Sequence, residues 1–412
     1  MDRIVEQFME ITRRSIGLPE KNVDFSDADW NMLFELGYMN KQLLLVSNVI
    51  CAPKSGWMIP GETMKDWTQL SYREFALSAA RLNSAKKILN SLYEAGVIAV
   101  VLKGYAIAAL YPSPMLRTSN DLDIKVSSGD QKRIEELMQE NGFSRDEEMS
   151  KQNVHIYTDR VLAIEVHYTL WEDYKGKSTE ILQKEFLDDP EQLMEVNALG
   201  CRMRTLGVTE HLIVQMFHIA KHFMVEGIQC RYFLDITFYI NHYVDEIDFQ
   251  RFWKVMDELG YADFAGLYFT ECIKWFSMNE KALNGRSAEI PFDENAFLHD
   301  IIFVGKRDLN DNVSFNLLGI LAPYVNGGKT TASTKAGRMV HAIFPSVSEI
   351  GENYSYCWKY RFLLPVAWIH RAMHAAILKM FHRNEVYGAQ EKLAAAEYRI
   401  QMMKNAGLIK NM

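Results

Sequence analysis

The sequence predicts an α+β protein, a small mixed β-sheet flanked by large helical regions. Three observations carry that reading. Apolar residues recur at helical spacing through the first 95 residues and again from about 178 to 300. Between them, residues 97–170 switch to short β-branched runs bounded by glycine, proline and polar turns. The 412-residue chain is 48% hydrophobic and 24% charged, enough for two or three domains with a large buried core.

The elements follow in order. "DWNMLFELGYMNKQLLLVSNVI" and "SYREFALSAARLNSAKKILNSLYEAG" are helical, the second ending at Gly96. "VIAVVLKG" is a buried strand, "YAIAALYP" a short helix stopped by Pro112, and "DLDIKV" a second strand. In "SSGDQKRIEELMQENGF", Ser128 and Gln131 fit a capping box, and Gly142 fits the residue just past the helix end. "HIYTDRVLAIEVHY" reads as a hairpin around Thr158-Asp159-Arg160, giving a sheet of about four strands. Helices are expected near 209–225, 230–243 and 248–277, and a mostly helical region runs to the end. The expected division is 1–95 helical, 96–175 the sheet core, 176–300 helical and 301–412 the C-terminal region.

Bulk composition narrows the function classes. A net charge of −8 disfavours a long nucleic-acid partner, which selects for a basic surplus, but leaves room for a nucleotide. Five cysteines with no Cys-x-x-Cys argue against a disulfide framework and for a reducing cytoplasm. The N-terminus carries acids and no continuous apolar run, so no signal peptide is expected. No stretch of about 18 apolar residues suggests a transmembrane helix.

Side chains alternate along a strand, so Asp121 and Asp123 share one face while Leu122 and Ile124 take the other. The same rule pairs Glu165 with His167 in "VLAIEVHY". If the two strands are neighbours, three carboxylates converge into a hard-oxygen site suited to Mg²⁺ or Mn²⁺. The alternative is a solvated edge strand, because Asp-x-Asp alone is a weak pattern. The context favours a site. A strand ends in Lys103-Gly104 and a helix follows, and its first amides point back to that turn, where glycine lets a phosphate approach.

The residues Leu102-Lys103-Gly104, Tyr111-Pro112, Arg117, Asp121-Leu122-Asp123 and Glu165-Val166-His167 with Trp171 together resemble the bacterial uncharacterised nucleotidyltransferases. Segment 97–171 is similar to the core of polymerase-β-type nucleotidyltransferases. "HIAKHF", "RYFLDI", "IFPS" and "KYRFLLPVAWIHR" extend the resemblance from about residue 85 onward. It implies transfer of a nucleoside monophosphate from an NTP such as ATP to a small-molecule or sugar acceptor, with release of pyrophosphate. Asp121, Asp123 and Glu165 would bind the metal, with Glu165 ligating it or accepting the acceptor's proton. Lys103, Gly104, Tyr105 and Arg117 would attend the phosphates. The sequence departs from the wider superfamily by Tyr105 after Gly104, where serine or glycine is usual. A different class stays open: a non-catalytic nucleotide- or sugar-nucleotide-binding partner in a pathway such as surface-polysaccharide assembly.

Other features carry two readings each. His211, Gln215, His218 and His222 fall within about sixty degrees of a helix at 100° per residue. They could line a cleft beside the sheet, where His167, His218 and His222 are the lining candidates, or be structural; zinc is the weaker reading, as no His-Glu-x-x-His is present. Arg231 and Asp235 are spaced to pair across one helical turn, with substrate contact as the alternative. "NGGKTT" reads as a loop because Pro323 stands where a phosphate loop needs its first glycine. The basic residues at 370–383 read as a solvated helix face, with a phosphate or a membrane surface as the alternative.

Overall fold

A computed structural model describes residues 2–52, 56–150, 153–169, 180–182, 193–286, 292–304, 344, 347, 354, 356–381 and 389–409. Trp171 and "NGGKTT" lie outside the described residues, as does most of "IFPS". Four helices come first: α1 (Arg3–Ser15), α2 (Trp30–Met39), α3 (Leu43–Ile50) and the 34-residue α4 (Gly61–Glu94). The sheet region holds β1 (Val100–Val101), α5 (Tyr105–Ala108), β2 (Asp121–Lys125), α6 (Gln131–Glu140), β3 (Ser144–Asp146), β4 (Val154–Thr158), β5 (Ala163–His167), β6 (Met194–Ala198) and β7 (Cys201–Thr205). The second helical region holds α7 (Val208–Val225), α8 (Arg231–Tyr243), α9 (Phe249–Leu259), α10 (Ala262–Phe276) and α11 (Glu294–Ile302). After it come α12 (Tyr356–Lys359), α13 (Leu364–Phe381) and α14 (Ala389–Asn405).

Among the described residues the sheet is mixed, as expected, but has seven strands rather than four, in the order β3-β4-β5-β2-β1-β7-β6. β2 runs parallel to β5 and β1 parallel to β7, and the other pairs are antiparallel. The β6–β7 hairpin falls where a helical region was expected. Its strands alternate cleanly, with Cys201, Met203 and Thr205 buried and Arg202 exposed. Its turn puts Leu199 at φ 59° and Gly200 at φ 74°, a geometry that usually calls for Asn-Gly or Asp-Gly. Leucine there hides the turn signal.

One face of the sheet is a dry core. Leu122, Ile124, Ile164 and Val166 are all 0% exposed and pack under Ile134 and Met138 of α6 and Ile88 of α4. Burying each contributes about 1.5–3 kcal/mol, which fixes the β2–β5 register, since a one-residue slip would turn the carboxylates inward. A second, all-helical core joins α1–α3, α7–α11 and α14. The helix α4 serves both, placing Trp67 in the helical core and Ala85, Ile88 and Leu92 under the sheet.

Two local expectations are corrected. No capping box closes α6; Ser127, not Ser128, caps a preceding turn by accepting from the Gly129 amide, and α6 starts only at Gln131. Gly142 does follow the helix end, at φ 87°. The segment expected as one helix over 248–277 is two, because Gly260 ends α9 in the left-handed conformation. All five cysteines are free thiols. Among the described residues no helix is long and apolar enough to cross a membrane.

Candidate active site

Parallel pairing of β2 and β5 sets Asp123 directly opposite Glu165, Asp121 opposite Ala163 and Lys125 opposite His167. The alternation that buries Leu122 and Ile164 therefore turns Asp121, Asp123, Glu165 and His167 to the other face. Ligand atoms of Asp123, Glu165 and His167 all lie within 4.8 Å of one another, the metal-type cluster found among the described residues. His167 Nε2 sits 3.4 Å from Asp123 Oδ1 and 3.6 Å from Glu165 Oε2, and Lys103 Nζ sits 3.2 Å from the same Asp123 oxygen. These are ion-pair contacts without hydrogen-bond alignment: Asp123 Oδ1 and His167 Nε2 are buried and lack a hydrogen-bond partner. Two oxygen donors, one nitrogen donor and two orphaned atoms fit a divalent cation.

The charges polarise the cluster. Burial disfavours the Asp123 anion, yet Lys103 and His167 hold its carboxyl well below the usual range. Asp121 goes the other way: burial and then the Asp123 charge raise its pKa, against the pull of Lys103. For His167, burial opposes the cation but Asp123 and Glu165 outweigh it, lifting the pKa to about 9. Burial likewise opposes the Lys103 ammonium, and Asp123 and Asp121 more than compensate.

Cations from distant parts of the chain surround the acids. Lys41, in the turn after α2 at φ 56°, feels both Arg231 and Asp121. Arg231, at the start of α8, donates to the Thr118 carbonyl and keeps its Nε buried without a partner. His218 of α7 is pushed well below its ordinary pKa by burial and then by Lys103.

A family model described as "Uncharacterised nucleotidyltransferase" matches residues 26–277. The chain belongs to that family. No curated protein and no solved structure matches it. The match starts well before residue 85, taking in α2 and Lys41, and stops at the end of α10. "IFPS" and "KYRFLLPVAWIHR" thus lie beyond the span that defines this nucleotidyltransferase-family chain.

Two residues expected at the phosphates are engaged elsewhere. Arg117 is 6% exposed and grips Asp235 of α8 in a fork, Nε to Oδ1 at 2.8 Å and Nη2 to Oδ2 at 2.7 Å, while its third nitrogen donates to Ser119. The Tyr111 hydroxyl donates to the same carboxylate at 2.7 Å. Arg117 therefore braces the β2 approach, and it, not Arg231, takes Asp235. Tyr105 is 5% exposed and packs in the sheet core, so burial and then the Asp121 charge raise its hydroxyl pKa. Gly104 stands where it was expected, ahead of α5, at φ 61° and ψ −93°. A Cβ there would meet nothing closer than 3.5 Å, so the positive φ, not space, demands glycine.

The histidines divide. His211 is a core residue, 1% exposed, with Nδ1 3.3 Å from Thr205 Oγ1 and its pKa pushed down to about 4 by burial. His218 and His222 stack edge to face with ring centres 4.1 Å apart, and His222 pairs with Glu226. Among the described residues they form no three-ligand group. Sequence reasoning missed Lys41, because nothing local marks a lysine in an inter-helix turn as part of a site assembled so far downstream.

Proposed function

We propose that the protein is a divalent-metal-dependent nucleotidyltransferase. It moves a nucleoside monophosphate from an NTP to a hydroxyl of a small-molecule or sugar acceptor and releases pyrophosphate. The observation that carries this reading is the β2–β5 register, which opposes Asp123 to Glu165 with Lys103 against both Asp121 and Asp123.

A bound Mg²⁺ or Mn²⁺ would neutralise charge on the phosphates and acidify the acceptor hydroxyl. Asp121, Asp123 and Glu165 are the residues that would hold it. Asp123, kept ionised, gives the site a fixed negative charge. Glu165 can take the proton as the acceptor oxygen attacks the α-phosphorus. The bond from that phosphorus to the bridging oxygen of pyrophosphate breaks, and pyrophosphate leaves with its electron pair. Lys103, Lys41 and Arg231 stabilise the charge that builds on the non-reacting oxygens, where most of the acceleration in such transfers arises. Gly104 leaves the backbone open to a phosphate, and the wall formed by His218 and His222 faces the acceptor side.

The test is pyrophosphate release over a panel of NTPs and candidate acceptors with Mg²⁺ or Mn²⁺, wild type beside Asp123→Asn. The substitution keeps the shape and removes one charge. Release should fall by ~100-fold or more, the loss of about 3 kcal/mol at the reacting centre. Nucleotide affinity should fall less, because the cations remain. One observation favours the binding-partner reading: Tyr105 is buried in the sheet core, where the superfamily that the sequence resembles has serine or glycine. Nucleotide binding with no release, hydrolysis or self-labelling would favour that partner role.

A further inference from the structure

We propose that His167 is a metal ligand of this site, completing with Asp123 and Glu165 a mixed nitrogen–oxygen set that favours Mn²⁺ over Mg²⁺. The inference rests on the metal-dependent reading above and assigns its ligands. It adds an imidazole to the carboxylates that the Asp-x-Asp pattern nominates.

Geometry is the first support. Strand alternation puts Glu165 and His167 on one face of β5, and Asp123 enters from β2 directly opposite Glu165. His167 Nε2 is 3.4 Å from Asp123 Oδ1 and 3.6 Å from Glu165 Oε2. Adjacent donors around an octahedral ion at about 2.1 Å stand roughly 3 Å apart, and opposite donors roughly 4.2 Å. The two histidine separations fall between those limits, and all three ligand atoms lie within 4.8 Å of one another, so one ion can draw them together.

The second support is unsatisfied polarity. Asp123 is 3% exposed, and its Oδ1 has no hydrogen-bond partner; the nearby His167 Nε2 is buried without one as well. Lys103 and His167 ion-pair with that oxygen without hydrogen-bond alignment, and a cation held between the oxygen and the nitrogen would satisfy both atoms more fully. The Lys103 ammonium, 3.2 Å from Oδ1, reaches only the carboxylate. An ammonium cannot take the place of the Nε2 proton, whereas a metal ion displaces that proton and receives the nitrogen lone pair. A transition-metal cation satisfies oxygen and nitrogen together.

The third support is the donor set: the trio of residues whose ligand atoms converge includes an imidazole. Adding an imidazole to hard carboxylates moves a site away from Mg²⁺, which prefers oxygen and gives up water reluctantly, toward Mn²⁺ and later first-row ions.

The experiment uses the full-length protein and Mn²⁺ itself, titrated by electron paramagnetic resonance with and without ATP and in competition with Mg²⁺. Spin-echo modulation on the bound Mn²⁺ then reports whether a nitrogen is coordinated. Wild type should show imidazole nitrogen coupling, and this readout does not depend on any variant folding. In His167→Asn the coupling should vanish. Mn²⁺ affinity should fall ~10–100-fold, comparable to losses seen when metal-site partners are removed, and Mg²⁺ affinity less, so the ion preference narrows. Asp121→Asn should keep the nitrogen signal. Bound Mn²⁺ without nitrogen coupling in wild type overturns the assignment, as does coupling that survives in His167→Asn or no Mn²⁺ binding in either condition. The proposed function fails separately. Nitrogen-coupled Mn²⁺ in a protein that neither binds nor turns over NTP keeps the ligand and removes the reaction. Pyrophosphate release at a site without nitrogen coupling does the reverse.

Discussion

Asp121 and Asp123 stand two residues apart on one strand, yet their carboxyls are pushed in opposite directions. Lys103 and His167 contact Asp123 and keep it ionised, whereas Asp121 meets burial and its neighbour's charge. Environments that separate two like groups in this way mark division of labour in active sites. A second buried acid shows the same physics without any role in the site. Glu271 of α10 is 3% exposed, its Oε2 has no partner, and burial followed by Glu294 pushes its pKa from 4.5 up to about 7. A carboxyl raised on folding releases its proton more readily in the unfolded chain, so stability falls as pH climbs from 4.5 to 7 and stays reduced above. Glu271→Gln should therefore raise the melting temperature at pH 8, by an amount on the order of 3 kcal/mol of stability, and change little at pH 4.5. Equal shifts at both pH values, read by thermal denaturation, would contradict this account. At this scale the acids and Lys103 were legible from alternation and turn chemistry. Lys41 and the Arg117–Asp235 fork were not, since both depend on which distant helix arrives.

At the scale of elements, the approach to β2 is held to α8 by Arg117, Tyr111 and Asp235, all nearly or fully buried. Residues that suggested a phosphate contact serve as a brace instead. Arg117→Ala would leave the Asp235 carboxylate buried and uncompensated, a loss of about 3–5 kcal/mol. Changing Arg117 and Asp235 together to alanine should cost less than Arg117→Ala alone, because no orphaned charge remains. Urea denaturation of the single and double variants measures the coupling; additive losses would show that the fork contributes no specific pairing. The brace was unreadable because the i,i+4 spacing of Arg231 and Asp235 offered a local partner, and tertiary packing chose a remote one. The β6–β7 hairpin had a readable signal in the alternation of Met194, Val196, Cys201 and Met203. It was obscured by leucine at a left-handed turn position, where periodicity says strand and turn chemistry says nothing.

Across the whole molecule, the two largest cores among the described residues share one helix. Through α4 the sheet core and the helical core are joined. The C-terminal α14 locks onto the helical core through Arg399, 0% exposed, which chelates Asp300 at 2.9 Å and donates to the Phe223 carbonyl of α7. The acids stand on the sheet, Lys41 in the turn after α2, His218 on α7 and Arg231 on α8, so their charges meet only in the assembled fold. That arrangement suits a reaction in which an anionic triphosphate must be held against carboxylates by cations from several elements. The most direct test follows the label of an NTP marked separately at its α- and γ-phosphates, incubated with the full-length protein, Mn²⁺ and an extract of small-molecule acceptors. Nucleotidyl transfer predicts that the α-label moves to an acceptor or to the protein while the γ-label leaves in pyrophosphate, and that both events are lost together in Asp123→Asn. Transfer of the γ-label to the acceptor, or release of orthophosphate with the α-label still on the nucleotide, would contradict the account.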